Sequence, residues 1–118
     1  MKMEEITYHT TINTDVGMIN SEAMIDDIVI GSVSGCPHVG LVSLSVSPQY
    51  HRRGIGERLM KEYIFMVKTR TKCRKVVLTT DSTNIAAISL YKKLGFDIQK
   101  SCDVEDDCLG DTICTLHI

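Results

Sequence analysis

A chain of 118 residues and 13.2 kDa is long enough for one domain, and 43% hydrophobic with 24% charged residues is the composition of a chain that folds. No apolar run approaches the ~20 residues that span a bilayer, and Met1-Lys2-Met3-Glu4-Glu5 lacks the basic-then-apolar order of a secretory signal. A single soluble domain over 1–118, cytoplasmic with the nucleus as the alternative and with no membrane partner, is expected. The net charge of −2 hides an uneven spread, because residues 51–75 hold nine of the thirteen Lys and Arg. Acidic residues gather before residue 51 and in 97–111. Such a surface suits a polyanionic ligand at the middle of the chain.

Ile6, Tyr8, Thr10 and Ile12 alternate with polar residues and predict a strand. Residues 13–27 are ambiguous, with Ser21 placed to cap a short helical turn. Residues 28–33 and 39–46 read as two strands of an antiparallel hairpin, joined through the turn chemistry of Ser34-Gly35-Cys36-Pro37. Pro48 ends the second strand because it has no N–H to give a ladder. Ile55, Leu59, Tyr63 and Val67 then recur at helical spacing over about four turns. Val76-Val77-Leu78 is a short buried strand, Asn84 to Leu94 a second helix stopped by Gly95, and 96–100 and 112–118 closing strands. The fold class is α/β (α+β) with a mixed sheet.

Five cysteines without a CxxC pair fit reduced thiols better than a disulfide framework. Cys102, Cys108, Cys114 and His117 can be drawn as a zinc set, but their spacing is unlike ordinary zinc modules, and no metal is expected. Asp103 to Asp107 is no calcium loop, since Cys108 stands where glycine is needed.

Two segments carry chemistry. In the first, strand 41–46 leads into His51-Arg52-Arg53-Gly54-Ile55-Gly56 at a helix start. Glycines let backbone N–H groups converge, the helix start adds unpaired donors and partial positive charge, and the arginines flank them, so a diphosphate fits. Glu57-Arg58 excludes a nucleotide P-loop, which needs Lys-Ser/Thr there. In the second, Asn84, Ala87 and Tyr91 share one helix face before Gly95-Phe96.

Together, Val46 to Phe96 resembles the GNAT superfamily of acyl-CoA N-acyltransferases. The family's diphosphate loop, Q/R-x-x-G-x-G/A, is matched as His51-x-x-Gly54-x-Gly56, and its N-x-x-A-x-x-x-Y-x-x-x-G-F run is matched from Asn84 to Phe96. Leu44-Ser45-Val46 and the closing helix look most like the camello-type branch. The resemblance implies a GNAT-like, mostly antiparallel sheet with helices packed on it and a splayed strand, Leu44, Ser45 and Val46, that pairs with pantetheine. It further implies that the Leu44 N–H meets the thioester carbonyl, that Arg52, Arg53, Gly54, Ile55, Gly56 and Glu57 hold the diphosphate, that Asn84 and Ala87 face the pantetheine arm, and that Tyr91 is the general acid. The implied activity is transfer of acetyl from acetyl-CoA to a primary amine, of a small molecule or a protein. The alternative is a non-catalytic acyl-CoA-binding module completed by a partner subunit.

The sequence departs from the family pattern in three places. Thr79 and Gly40 stand where members carry a glutamate, so no general base is assigned, with Asp81 and His38 as weak candidates and His9 and His117 read as structural. His51 replaces Gln/Arg at the head of the loop. Family domains place a strand and two helices before the hairpin, whereas about 27 residues precede Ile28 here. The acceptor site is therefore open or completed by a second subunit, and a homodimer is expected. The basic band lacks an RNA-recognition motif or zinc finger, so no nucleic-acid partner is expected.

Overall fold

The computed structural model describes residues 5–13, 15, 17–36, 41–81, 83–100 and 112–118. In chain order its elements are β1 (Thr7–Asn13), β2 (Met18–Ile25), β3 (Ile28–Cys36), β4 (Leu41–Val46), a single 3-10 turn (Pro48–Tyr50), α1 (Ile55–Arg70), β5 (Lys75–Thr80), α2 (Ile85–Lys93), β6 (Asp97–Lys100) and β7 (Thr112–His117). Strands β1-β2-β3-β4 form one sheet and β5-β7-β6 another, and every ladder within them is antiparallel. Strands β4 and β5 pack beside each other but share no ladder, which is the splay the resemblance implies. Among the described residues no helix is long and apolar enough to cross a membrane.

Two local expectations are corrected. Residues 18–25 form a strand with no helical turn, because Ile19, Ser21, Ala23 and Ile25 bury one face at a period of two. Ser21 is wholly buried and shares a 2.7 Å hydrogen bond with the Thr10 hydroxyl across the ladder, so it pairs strands instead of capping a helix. Strand β3 also runs on through Ser34, Gly35 and Cys36, which pair with Ser43, Val42 and Leu41. The turn expected there begins only after Cys36, outside the described residues. Asn13 is paired with Met18, so β1 and β2 form a hairpin and leave no place between them for two helices.

Helix α1 lays Ile55, Leu59, Met60, Tyr63 and Val67 onto β2, β3 and β4. Gly31 permits the close approach, since a Cβ there would stand 3.2 Å from both Leu59 Cδ1 and the Ser45 carbonyl. Tyr63 is fully buried, and its hydroxyl has no hydrogen-bond partner among the described residues. Burial, with the Cys36 and Cys73 thiols adding to it, pushes the phenol well above its ordinary range. An unpaired buried hydroxyl costs about 1–3 kcal/mol. Tyr63→Phe is therefore expected to leave stability unchanged or raise it by about 1 kcal/mol in urea unfolding, and a loss above 1 kcal/mol would contradict this packing.

The second helix is cut to length by its own caps. Asn84 Oδ1 accepts the Ala87 N–H at 3.2 Å. At the other end Gly95 adopts φ 96°, with the Gly95 N–H donating to Lys92 at 3.0 Å and the Phe96 N–H to Tyr91 at 2.9 Å. This is a Schellman stop, whose accompanying apolar contact is Tyr91 against Phe96, with ring centroids 5.6 Å apart. The spacing Tyr-x-x-x-Gly-Phe thus has a physical cause: the glycine turns the chain so that the phenylalanine fixes the tyrosine ring.

Candidate active site

The splay between β4 and β5 opens a cavity of about 1170 Å³. On its β4 side the strand edge carries no ladder among the described residues. Ser47 donates to the Ile30 carbonyl at 2.8 Å, so Ser47, Ser45 and Ser43 turn their main-chain groups toward β3. Alternation then points the N–H and C=O groups of Val46, Leu44 and Val42 to the open side. Leu44 and Val46 line the cavity, whereas Ser45 points elsewhere, its exposed side chain on the far face of the sheet.

The turn into α1 forms one end of the cavity. Arg52 and Gly54 both lie in the left-handed region, at φ 67° and 76°. A side chain at Gly54 would meet no protein atom within 4 Å, so the glycine faces open space. The first helical bond there is Arg58 N–H to the Gly54 carbonyl at 3.0 Å, which leaves the N–H groups of Ile55, Gly56 and Glu57 without helical partners. These donors and Arg52 line the same end of the cavity, an arrangement whose partial positive charge complements an anion. The Ile55 side chain is core, so only its main chain serves the site. Arg53 does not line the cavity; its guanidinium sits 5.2 Å from the Tyr50 ring centroid.

Glu57 contributes differently from its neighbours. Its carboxylate is 2.6 Å from Lys93 Nζ and 3.4 Å from Lys61 Nζ. Lys93 first and then Lys61 hold the carboxyl below its ordinary range. The Lys93 contact ties the start of α1 to the end of α2 and is a residue pairing that the sequence does not reveal. Gly56 lies in the same junction, where a Cβ would touch Leu90, Leu44 and Val46 at 3.5–3.8 Å.

On the α2 side Asn84, Ala87 and Tyr91 all line the cavity, although the Asn84 carbonyl oxygen is already used by the helix cap. Tyr91 is 6% exposed. Burial, and after it the Cys114 thiol, pushes its phenol up to about 12. An unfolded tyrosine ionises near 10. The proton that Tyr91 keeps in the folded state therefore contributes stability in full below pH 10 and progressively less as pH rises to about 12. Tyr91 and Tyr63, both raised, each contribute a loss of about 1.4 kcal/mol per pH unit over that window, so the Tyr91 share is the difference between the parent and Tyr91→Phe in urea unfolding at stepped pH; no difference would contradict the burial of the Tyr91 phenol.

The remaining lining residues come from the face of the first sheet turned away from α1. Met18, Ser34, Cys36 and Ser43 share that face by alternation, and Thr79 and Thr80 join them from β5. Sequence reasoning did not collect Met18, Ser34, Cys36 and Ser43, because only the register of β2, β3 and β4 brings them together. Thr79 lines the cavity, whereas Asp81 does not; its Oδ1 instead accepts the Thr83 N–H at 3.0 Å and hydroxyl at 2.9 Å. His9 and His117 are exposed and away from the cavity. His38, Gly40, Cys102, Cys108 and residues 103–107 lie outside the described residues. Cys114 and His117 project from opposite faces of β7, so they cannot share one metal ion.

N-alpha-acetyltransferase 30 of Xenopus laevis is 41% identical over 56 residues, which is 48% of this chain but 20% of that protein, so the chain spans about a fifth of the length of this relative. The crystal structure of the ribosomal-protein-S18-alanine N-acetyltransferase of Escherichia coli superposes with a TM-score of 0.73 at 19% identity, covering 97% of this chain and 94% of that one. The PaiA N-acetyltransferase of Thermoplasma acidophilum, solved in complex with coenzyme A, gives 0.70 at 22% identity, covering 89% and 64%. At such identities the structural matches establish the fold, and the camello-type branch draws no support from these relatives. The family model for the acetyltransferase (GNAT) family matches residues 3–96, and the chain belongs to that family.

Proposed function

We propose that this protein transfers the acetyl group of acetyl-CoA to a primary amine. The observation that carries the reading is one cavity lined by the Gly54 turn, the edge strand β4 and Tyr91. The residues fit the donor on physical grounds. Gly54 leaves open space where a side chain would stand, and the adjacent N–H groups and Arg52 complement a diphosphate. The outward N–H and C=O of Leu44 complement the amides of a pantetheine arm laid alongside as an extra strand, whereas the Val46 carbonyl is bonded to the His51 ring at 2.8 Å.

Acetyl-CoA supplies the acetyl group as a thioester. The lone pair of a neutral amine forms the new C–N bond, the C–S bond breaks, and the surplus amine proton passes to water. The Leu44 N–H, fixed in the sheet, faces the carbonyl oxygen on which charge grows. Tyr91 faces the departing sulfur. A thiol ionises near 8.5, whereas Tyr91 ionises near 12, so full transfer of the phenolic proton to the thiolate is uphill. Tyr91 therefore works as a hydrogen-bond donor to the leaving thiolate more than as a proton source.

The acceptor approaches from the face of Met18, Ser34 and Cys36, which the β1–β2 hairpin leaves uncovered. We take 1–118 as one cytoplasmic domain that works as a homodimer through the outer edge of β1, which has no neighbouring strand among the described residues. Incubation with acetyl-CoA and a panel of amines (an amino acid, a polyamine, a peptide with a free α-amine) should release coenzyme A thiol in an amine-dependent way. Release no faster than without amine, in protein that still binds coenzyme A, would favour the non-catalytic module.

A further inference from the structure

The diphosphate turn contains a strained feature that its glycines do not account for. Arg52, a long L residue, lies at φ 67°, and Gly54 follows at φ 76°. A left-handed conformation costs an L residue roughly 1–2 kcal/mol, so something adjacent must hold it. The neighbouring contact is from His51, whose Nε2 lies 2.8 Å from the Val46 carbonyl oxygen. A carbonyl can only accept, so Nε2 carries the proton and donates. Val46 is the last residue of β4, and its carbonyl points to the open edge, so this bond staples the head of the turn back onto the strand that borders the cavity. The His51 N–H also donates to Pro48 at 3.1 Å, and the Tyr50 N–H to Ser47 at 2.9 Å, so residue 51 is held by main chain on one side and by its ring on the other.

Resting on the acetyl-CoA reading above, we infer that His51 is a positioning residue for the diphosphate: its ring bond to Val46 fixes the left-handed Arg52 and so aims the N–H groups at the start of α1. The imidazole itself touches no reacting atom. Its effect is confined to ligands that carry the diphosphate, because the edge groups of Leu44, which serve the pantetheine arm, lie two residues further along β4.

The test is calorimetric binding of coenzyme A and of pantetheine, which lacks the diphosphate, to the full chain and to His51→Ala and His51→Gln. Losing one such bond is worth roughly a five- to tenfold change. His51→Ala is expected to weaken coenzyme A about five- to tenfold while leaving the pantetheine affinity within twofold, and His51→Gln, whose amide can donate, restores most of the loss. Equal weakening of both ligands would mean that the ring merely supports β4, and an alanine variant with unchanged coenzyme A affinity would remove the role; either overturns the inference while leaving the acetyl-CoA reading in place. Wild-type protein that binds neither ligand overturns both.

Discussion

Gly54→Val is expected to weaken coenzyme A binding by about a hundredfold or more in a protein that still folds. Two effects add. The valine Cβ enters space with no described protein atom within 4 Å, the space in which we propose the diphosphate sits. At φ 76° a β-branched residue is also disfavoured, so the backbone relaxes and the N–H groups of Ile55, Gly56 and Glu57 lose their common aim. Hydrogen bonds to a charged group are worth about 1.5–3 kcal/mol each, so losing two costs roughly 3–6 kcal/mol, or two to four powers of ten in affinity. The fold suffers less, because Gly54 packs against nothing and the left-handed penalty is about 1–2 kcal/mol. Calorimetry with coenzyme A and urea unfolding of the same variant separate the two. A variant that binds as tightly as the parent would remove the turn from the site.

Tyr91→Phe should have the opposite signature, with binding kept and turnover lost. The phenylalanine ring retains the contact with Phe96 that closes α2, and only the hydroxyl goes. Removing one donor aimed at developing charge typically costs 10²–10³ in rate. Turnover is expected to fall about a hundredfold, with coenzyme A affinity within threefold and stability within about 1 kcal/mol. Since the phenol ionises only near 12, it stays protonated through pH 10, and the parent should show no alkaline fall in rate from this group below that pH. Unchanged turnover in the variant would mean that the leaving thiolate finds its donor elsewhere.

The parts of the site that were legible in the sequence are those governed by local rules. Glycine is needed where φ is positive, and Gly54 and Gly95 both sit there. Asn84 caps the helix it precedes, and the spacing from Tyr91 to Phe96 is one helix stop. What was not legible depends on register. Strand β2 alternates Ile19, Ser21, Ala23 and Ile25, and with two small residues in the buried row its hydrophobic signal is too weak to outweigh a plausible helix cap at Ser21. Strand β3 continues through Ser34-Gly35-Cys36, whose composition favours a turn, because β4 supplies partners to every one of them. The ion pair of Glu57 with Lys61 follows from helical spacing, but that with Lys93 joins two helices and needs the fold. The bond from His51 to Val46 likewise depends on where the turn returns to the strand.

If the turn at Gly54 and the edge of β4 together hold coenzyme A, calorimetric titration of the full chain with coenzyme A will give saturable heat. Thermal unfolding at a concentration about 100 times the measured Kd will then show a stabilisation of about 2.7 kcal/mol. No heat, and a melting temperature that does not move with added coenzyme A, would contradict that binding.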